Sequence, residues 1–203
     1  MPARRTVYLR HPTVAGCDAR LAEQAQVEPT DLGVDPSTLE TAPPGYRLDR
    51  DAIDLGAGQE VFERARECLG RWAAHLGSGL RLHPERPEIV EGRDVLISIR
   101  VGPVHVVAAC RTVAVVDELR RFGFAYATLP LHPERGRQAF FVEHGDDDVV
   151  RFVVSTVSRP RAWWARASAP LTRAVQRRAA KKYVSAVSEC VAPTDGRGRD
   201  GVR

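Results

Sequence analysis

No stretch of this 203-residue chain approaches the ~18 consecutive apolar residues that a membrane-crossing helix needs. The first ten residues carry Arg4, Arg5 and Arg10 without a sustained apolar core, so a secretory leader is not expected. Several motifs that announce a chemistry are also missing. There is no Cys-x-x-Cys pair, no Cys–His set at zinc spacing, no His-Glu-x-x-His and no Gly-x-Ser-x-Gly elbow. Gly56-Ala57-Gly58 leads into a helical stretch but lacks the third glycine of a dinucleotide fingerprint and the Lys-Ser/Thr of a P-loop, and reads as a flexible lead-in. His11, His75, His83, His105 and His144 show no ligand spacing, so neither a metal nor a cofactor is expected. The four cysteines, Cys17, Cys68, Cys110 and Cys190, stand far apart. They read as free thiols acting as small buried apolar groups in a reducing compartment, with the cytoplasm as the default.

A hydrophobic fraction of 43% beside a charged fraction of 28% is that of a globular domain, which excludes a disordered chain, a collagen-like fibre and a coiled-coil rod. Charge is unevenly distributed. Residues 159–203 hold 11 basic against three acidic residues, net +8, which leaves the first 158 residues at net −4. Such a basic stretch suits an anionic membrane surface or an acidic partner. It lacks the aromatic–basic interleaving of RNA-binding motifs, which ranks nucleic acid lower.

The apolar pattern divides the chain in three. Residues 1–44, ending in Ala42-Pro43-Pro44, read as a loosely ordered arm with a short helix near Asp18–Gln26, and residues 193–203 as a flexible tail. Between them, residues 45–192 read as one α+β domain. A first strand is expected around Tyr46–Leu48. Val61, Phe62, Ala65, Cys68, Leu69, Trp72, Ala73 and Leu76 then recur at three- and four-residue steps, which predicts an amphipathic helix over Gln59–Leu76 stopped by Gly77 and Gly79. From Leu80 to Val157 the period falls to two. Short turns at Gly102-Pro103 and Gly145–Asp148 join the runs into an antiparallel meander. Phe122, Phe124, Tyr126 and Thr128 face one side, and Gly123, Ala125 and Ala127 the other, as in a strongly curved sheet or one closely approached by another element. Pro170 suits the first turn of a long helix to about Val191, with Trp164, Leu171, Val175 and Ala179 on one side. The fold class expected is α+β, a curved antiparallel sheet of six or seven strands packed on a long C-terminal helix. The order resembles the helix-grip fold of the START and Bet v 1-like superfamily.

The block Arg121-Phe-Gly-Phe-Ala-Tyr-Ala-Thr-Leu-Pro-Leu-His-Pro-Glu-Arg-Gly136 stands in order with Leu55-Gly-Ala-Gly-Gln-Glu-Val-Phe62, Trp72…His75 and Ser158-Arg159-Pro160. Together they resemble the domain-of-unknown-function family nineteen-ninety over about Pro29 to Val191. The resemblance implies a helix-grip-type domain and brings no reaction, cofactor or catalytic residue with it.

The expected function is non-catalytic binding of a small apolar or amphipathic ligand between the sheet and the last helix. The ligand-binding candidates are Phe124, Tyr126, His132, Trp163 and Arg178. The aromatics would wall the cavity, the Tyr126 hydroxyl would orient the ligand, and Arg178, near the apolar side of its helix, would hold an anionic end. Two alternatives stand beside it. One is a hydrolase- or cyclase-type enzyme using His132 with Glu118 or Glu134, because a His–carboxylate pair moves protons near neutral pH. The other is an interaction module docking its basic helix on an anionic surface.

Overall fold

The computed structural model describes residues 6–33, 36, 38–161 and 169–192, with side chains in the last helix from Arg178 onward. The elements are β1 (Val7–Tyr8), α1 (Val14–Ala22), β2 (Arg47–Ala57), α2 (Gln59–Gly70), α3 (Ala73–Gly77), β3 (Arg81–His83), β4 (Asp94–Val101), β5 (Val104–Glu118), β6 (Arg121–Thr128), β7 (Glu134–His144), β8 (Val149–Pro160) and α4 (Ala169–Val191). The strands form one antiparallel sheet in the order β2-β8-β7-β6-β5-β4-β3, with β1 pairing off this path against β5. The meander from β4 to β8 follows the period-two pattern, since each short turn leaves only the neighbouring position open.

Alternation sorts the side chains. Phe124, Tyr126, Phe140, Val142, Phe152 and Val154 face inward and bury against Phe62 and Leu69 of α2, Trp72, and Tyr183, Val187 and Val191 of α4. Ala125, Ala139 and Phe141 form a separate cluster. Gly123 is needed where β6 meets β7, because a Cβ there would run into the Phe140 carbonyl and the Phe141 ring.

Three expectations are corrected. The helix over Gln59–Leu76 is two helices. Trp72 breaks it by adopting a left-handed backbone, φ 61°. This turn drops the indole into the core, where its Nε1–H donates to the Pro87 carbonyl at 2.7 Å. Gly79 ends the second helix with φ +80°, while Gly77 permits close approach instead, since a Cβ there would lie 2.6 Å from the Ala186 Cβ.

The arm, expected to be loose, is seated on the sheet over its described residues. Its helix starts four residues earlier than expected, where the Thr13 side chain caps the Gly16 N–H. Cys17 is buried among Leu96, Val107, Ala109, Leu129 and Leu131. The Arg111 guanidinium pairs with Asp94 at 2.5 Å and also donates to the Gln24, Ala25 and Val27 carbonyls, and Thr30 Oγ1 meets Thr128 Oγ1 at 2.9 Å. Polar contacts of this kind leave no periodicity in the sequence.

The third correction concerns the thiols. Cys68 of α2 and Cys190 of α4 form a disulfide across 122 residues of sequence, and only Cys17 and Cys110 are free. The cytoplasmic reading therefore loses the support it drew from cysteine usage. Among the described residues no helix is long and apolar enough to cross a membrane.

Candidate functional site

The site grows from two rows that cross the inner face of the sheet. Pairing registers place Asp49 of β2, Thr156 of β8, Gln138 of β7 and Tyr126 of β6 in one polar row. The next row towards α2 reads Asp51, Val154, Phe140 and Phe124. Alternation puts all eight on the same face, beneath α4.

Between these rows and α4 lies a cavity of about 130 Å³. Asp49, Asp51, Glu134, Gln138 and Thr156 supply its polar wall, and Ala179, Ala180 and Tyr183 its roof. It exceeds the roughly 30 Å³ share of one water and falls below the roughly 300–1,000 Å³ of most ligand pockets. Two larger depressions, of about 660 and 740 Å³, lie away from α4 against the arm, one at Arg93, Asp94 and Arg111 and the other at His11, Leu80 and His83.

Towards α3 the space under the helix is filled by rings. His75 sits 4.8 Å from Trp72, 4.7 Å from Phe140 and 5.3 Å from Tyr183, centre to centre. A polar chain runs through this stack to the cavity. Tyr126 donates to Gln138 Oε1 at 2.6 Å, His75 Nε2 stands 3.4 Å from the Tyr126 hydroxyl, and the Tyr183 phenol is buried beside them. Burial drives every titration here towards the neutral form. His75 is lowered to about 3, and the Tyr126, Tyr183 and Cys110 protons are held well above their ordinary range. Two neutral phenols and an amide therefore form a fixed hydrogen-bonding hand at the inner end of the cavity. At the rim Arg47 holds Asp49, at 2.5 and 2.8 Å.

The sequence candidates are scattered by this geometry. Tyr126 reaches the cavity wall through Gln138, and Phe124, fully buried, packs behind it against Trp72 and Phe140. Arg178 is exposed and is not among the residues that line this cavity. Trp163 lies outside the described residues. His132 sits in the β6–β7 loop, where its Nδ1 accepts from the Glu134 backbone N–H at 2.9 Å. Burial and the Arg161 guanidinium hold it down to about 3. Glu118 faces Arg121 at the far end of β6, roughly 25 Å of strand from this loop. The His132–Glu118 pair of the enzyme alternative is thereby separated. Asp117 is engaged with Arg66 at 2.7 and 2.8 Å, and the Gly58 N–H donates to the Asp148 carbonyl rather than standing open for an anion. Among the described residues no three His, Cys, Asp or Glu side chains are grouped to hold a metal ion.

Sequence reasoning missed His75, Gln138, Tyr183, Asp49 and Asp51. Tyr183 was within reach, since continuing the Val175–Ala179 stripe by four residues arrives at it. Asp49 and Asp51 share one face with Ile53 and Leu55 in a strand that the charges disguised.

Comparison with known proteins agrees with this architecture. The model for a domain of unknown function, DUF1990, matches residues 30–186. A UPF0548 protein of Deinococcus radiodurans is 31% identical over 185 residues, covering 86% of this chain and 93% of its own. Among solved structures, the Zhui aromatase/cyclase from a Streptomyces species superposes with a TM-score of 0.50 at 15% identity, over 72% of this chain and 93% of that one. A hypothetical protein of Helicobacter pylori gives 0.51 at 10% identity, over 75% and 89%. These likenesses speak for the helix-grip fold alone. The chain belongs to the DUF1990 (UPF0548) family.

Proposed function

We propose that the domain binds a small amphipathic molecule, without transforming it, in the cavity between β2, β7 and β8 and the underside of α4. The observation that carries this reading is the buried Tyr126–Gln138 hydrogen bond at the inner end of that cavity, with the Tyr183 phenol in its roof. It offers fixed hydroxyl and amide groups to one polar end of a guest, while Val154, Ala179 and Ala180 offer apolar wall to the rest. The carboxylates of Asp49, Asp51 and Glu134 select a guest whose polar end donates hydrogen bonds, an alcohol or amine rather than an acid. Binding fits this chemistry better than turnover. The buried imidazole is held neutral and the phenols keep their protons, so none of them is poised to exchange protons at neutral pH.

Denaturing extraction of the purified protein followed by mass spectrometry tests the proposal, with Ala180→Phe as the variant that fills the cavity. A stoichiometric small molecule is expected from the parent chain, and at least tenfold less from the variant. Equal recovery from both would place the ligand elsewhere, and recovery from neither would remove the basis for a resident guest.

A further inference from the structure

Helix α4 roofs the cavity, where Tyr183 is buried against His75 and Phe140 and Lys182 Nζ–H donates to the Ser78 carbonyl at 3.3 Å. Its C-terminal half is fastened to α2 and α3. Val187 and Val191 are buried, Ala186 packs against Gly77, Arg64 Nε–H donates to the Val191 carbonyl at 3.3 Å, and Cys190 is bonded to Cys68. The cavity opens about three turns upstream, under Ala179, Ala180 and Tyr183. Covalent attachment at one end of a roof whose other part covers a cavity is the geometry of a hinge with a catch.

The two cysteines differ in exposure. Cys68 lies in the core at 2% exposure, while Cys190 is an exposed residue of the final turn. We propose that the Cys68–Cys190 disulfide is a redox-operated latch: oxidised, it holds α4 over the cavity, and reduced by a dithiol it lets the helix lift. The exchange balances as follows. A thiolate of the dithiol attacks the sulfur of the exposed residue Cys190, the Cys68–Cys190 bond breaks, and Cys68 leaves and takes up a proton. The second thiol of the reductant then attacks the mixed disulfide and releases Cys190 as a thiol. Two electrons and two protons pass from the dithiol, which becomes a disulfide, to the protein, which gains two thiols. Cys17 and Cys110 are both buried, so neither meets an external reductant as Cys190 does.

The bond closes a loop of more than a hundred residues, so its loss releases a large chain entropy and lowers Tm by about 10–20 °C. A latch requires more than this global effect. Its opening must be local, confined to the helix at temperatures where the sheet stays folded. The consequence for guest exchange rests on the cavity proposed above, whereas the latch itself does not.

The test is hydrogen–deuterium exchange on the full chain at 25 °C, before and after reduction with dithiothreitol, with Cys190→Ser as a second route to the open state. Alkylation in denaturant is expected to label two thiols without reductant and four after it. On reduction, amides 178–191 are expected to exchange at least tenfold faster while those of Phe140–Val142 and Phe152–Val154 keep their protection. The variant should match the reduced protein and ignore the reductant. Four labelled thiols without reductant, unchanged exchange in α4, or an equal acceleration in α4 and the sheet would each overturn the latch. Failure of n-hexanol to bind either form would count against the cavity reading alone, because the exchange experiment contains no ligand.

Discussion

His75 is the residue whose environment departs furthest from its sequence context. It is fully buried among Trp72, Phe140 and Tyr183, and its Nδ1 has no hydrogen-bond partner among the described residues. Burial without a counter-charge holds its pKa at about 3, against the 6.5 it has when exposed. Between those two values the unfolded chain carries a proton that the folded chain refuses. The stability His75 contributes is therefore complete above about pH 6.5 and is lost progressively as the pH falls towards 3. His75→Phe keeps a ring in the stack and removes the proton site. Unfolding free energies from urea titrations at pH 7 and pH 4.5 should differ by about 2 kcal/mol less in the variant than in the parent, an order-of-magnitude figure from linkage. An identical pH dependence in both would contradict the assignment of a neutral buried imidazole.

At the scale of the elements, the contacts that the periodicity cannot carry are the ones that join the arm to the sheet. Arg111 and Asp94 face each other across β4 and β5, each side chain 16% exposed, and the same guanidinium collects three carbonyls from the segment after α1. Breaking such a pair leaves a partly buried charge and three unpaired acceptors. Arg111→Leu should cost about 3 kcal/mol by urea denaturation, and adding Asp94→Asn should recover part of it. A loss below about 0.5 kcal/mol would mean that the arm is merely laid on the surface.

The same contrast explains what was legible. The strands from Asp94 to Val157 and the helix to Val191 followed from alternation and from the placement of Pro170, because burial of one face writes itself into the order of residues. The break at Trp72 did not, since a tryptophan in left-handed conformation is held by the Pro87 carbonyl and the core rather than by local preference. The Cys68–Cys190 bond and the Thr30–Thr128 contact join positions about a hundred residues apart, and no local pattern announces them. Of the candidate site, Tyr126 was found through its strand phase. Its partners Gln138 and Tyr183 were missed because only the assembled registers bring them together.

For the whole molecule, the sheet, the arm and the helix divide the work. Among the described residues much of the sheet's inner face is filled by the chain's own rings, and a cavity of about 130 Å³ with a neutral hydrogen-bonding end and an acidic wall lies beneath α4. On the binding reading proposed above, that arrangement suits a short guest with a donor at its polar end and leaves an anionic one unpaired. The decisive measurement is an amide-resolved NMR titration of the oxidised protein with n-hexanol, set beside one with hexanoate. Saturable shifts are predicted for hexanol at Gln138, Val154, Thr156, Ala179, Ala180 and Tyr183, with no saturable response to hexanoate. Shifts confined to the depressions beside the arm, or equal responses to the alcohol and the acid, would contradict a cavity that selects its guest from beneath α4.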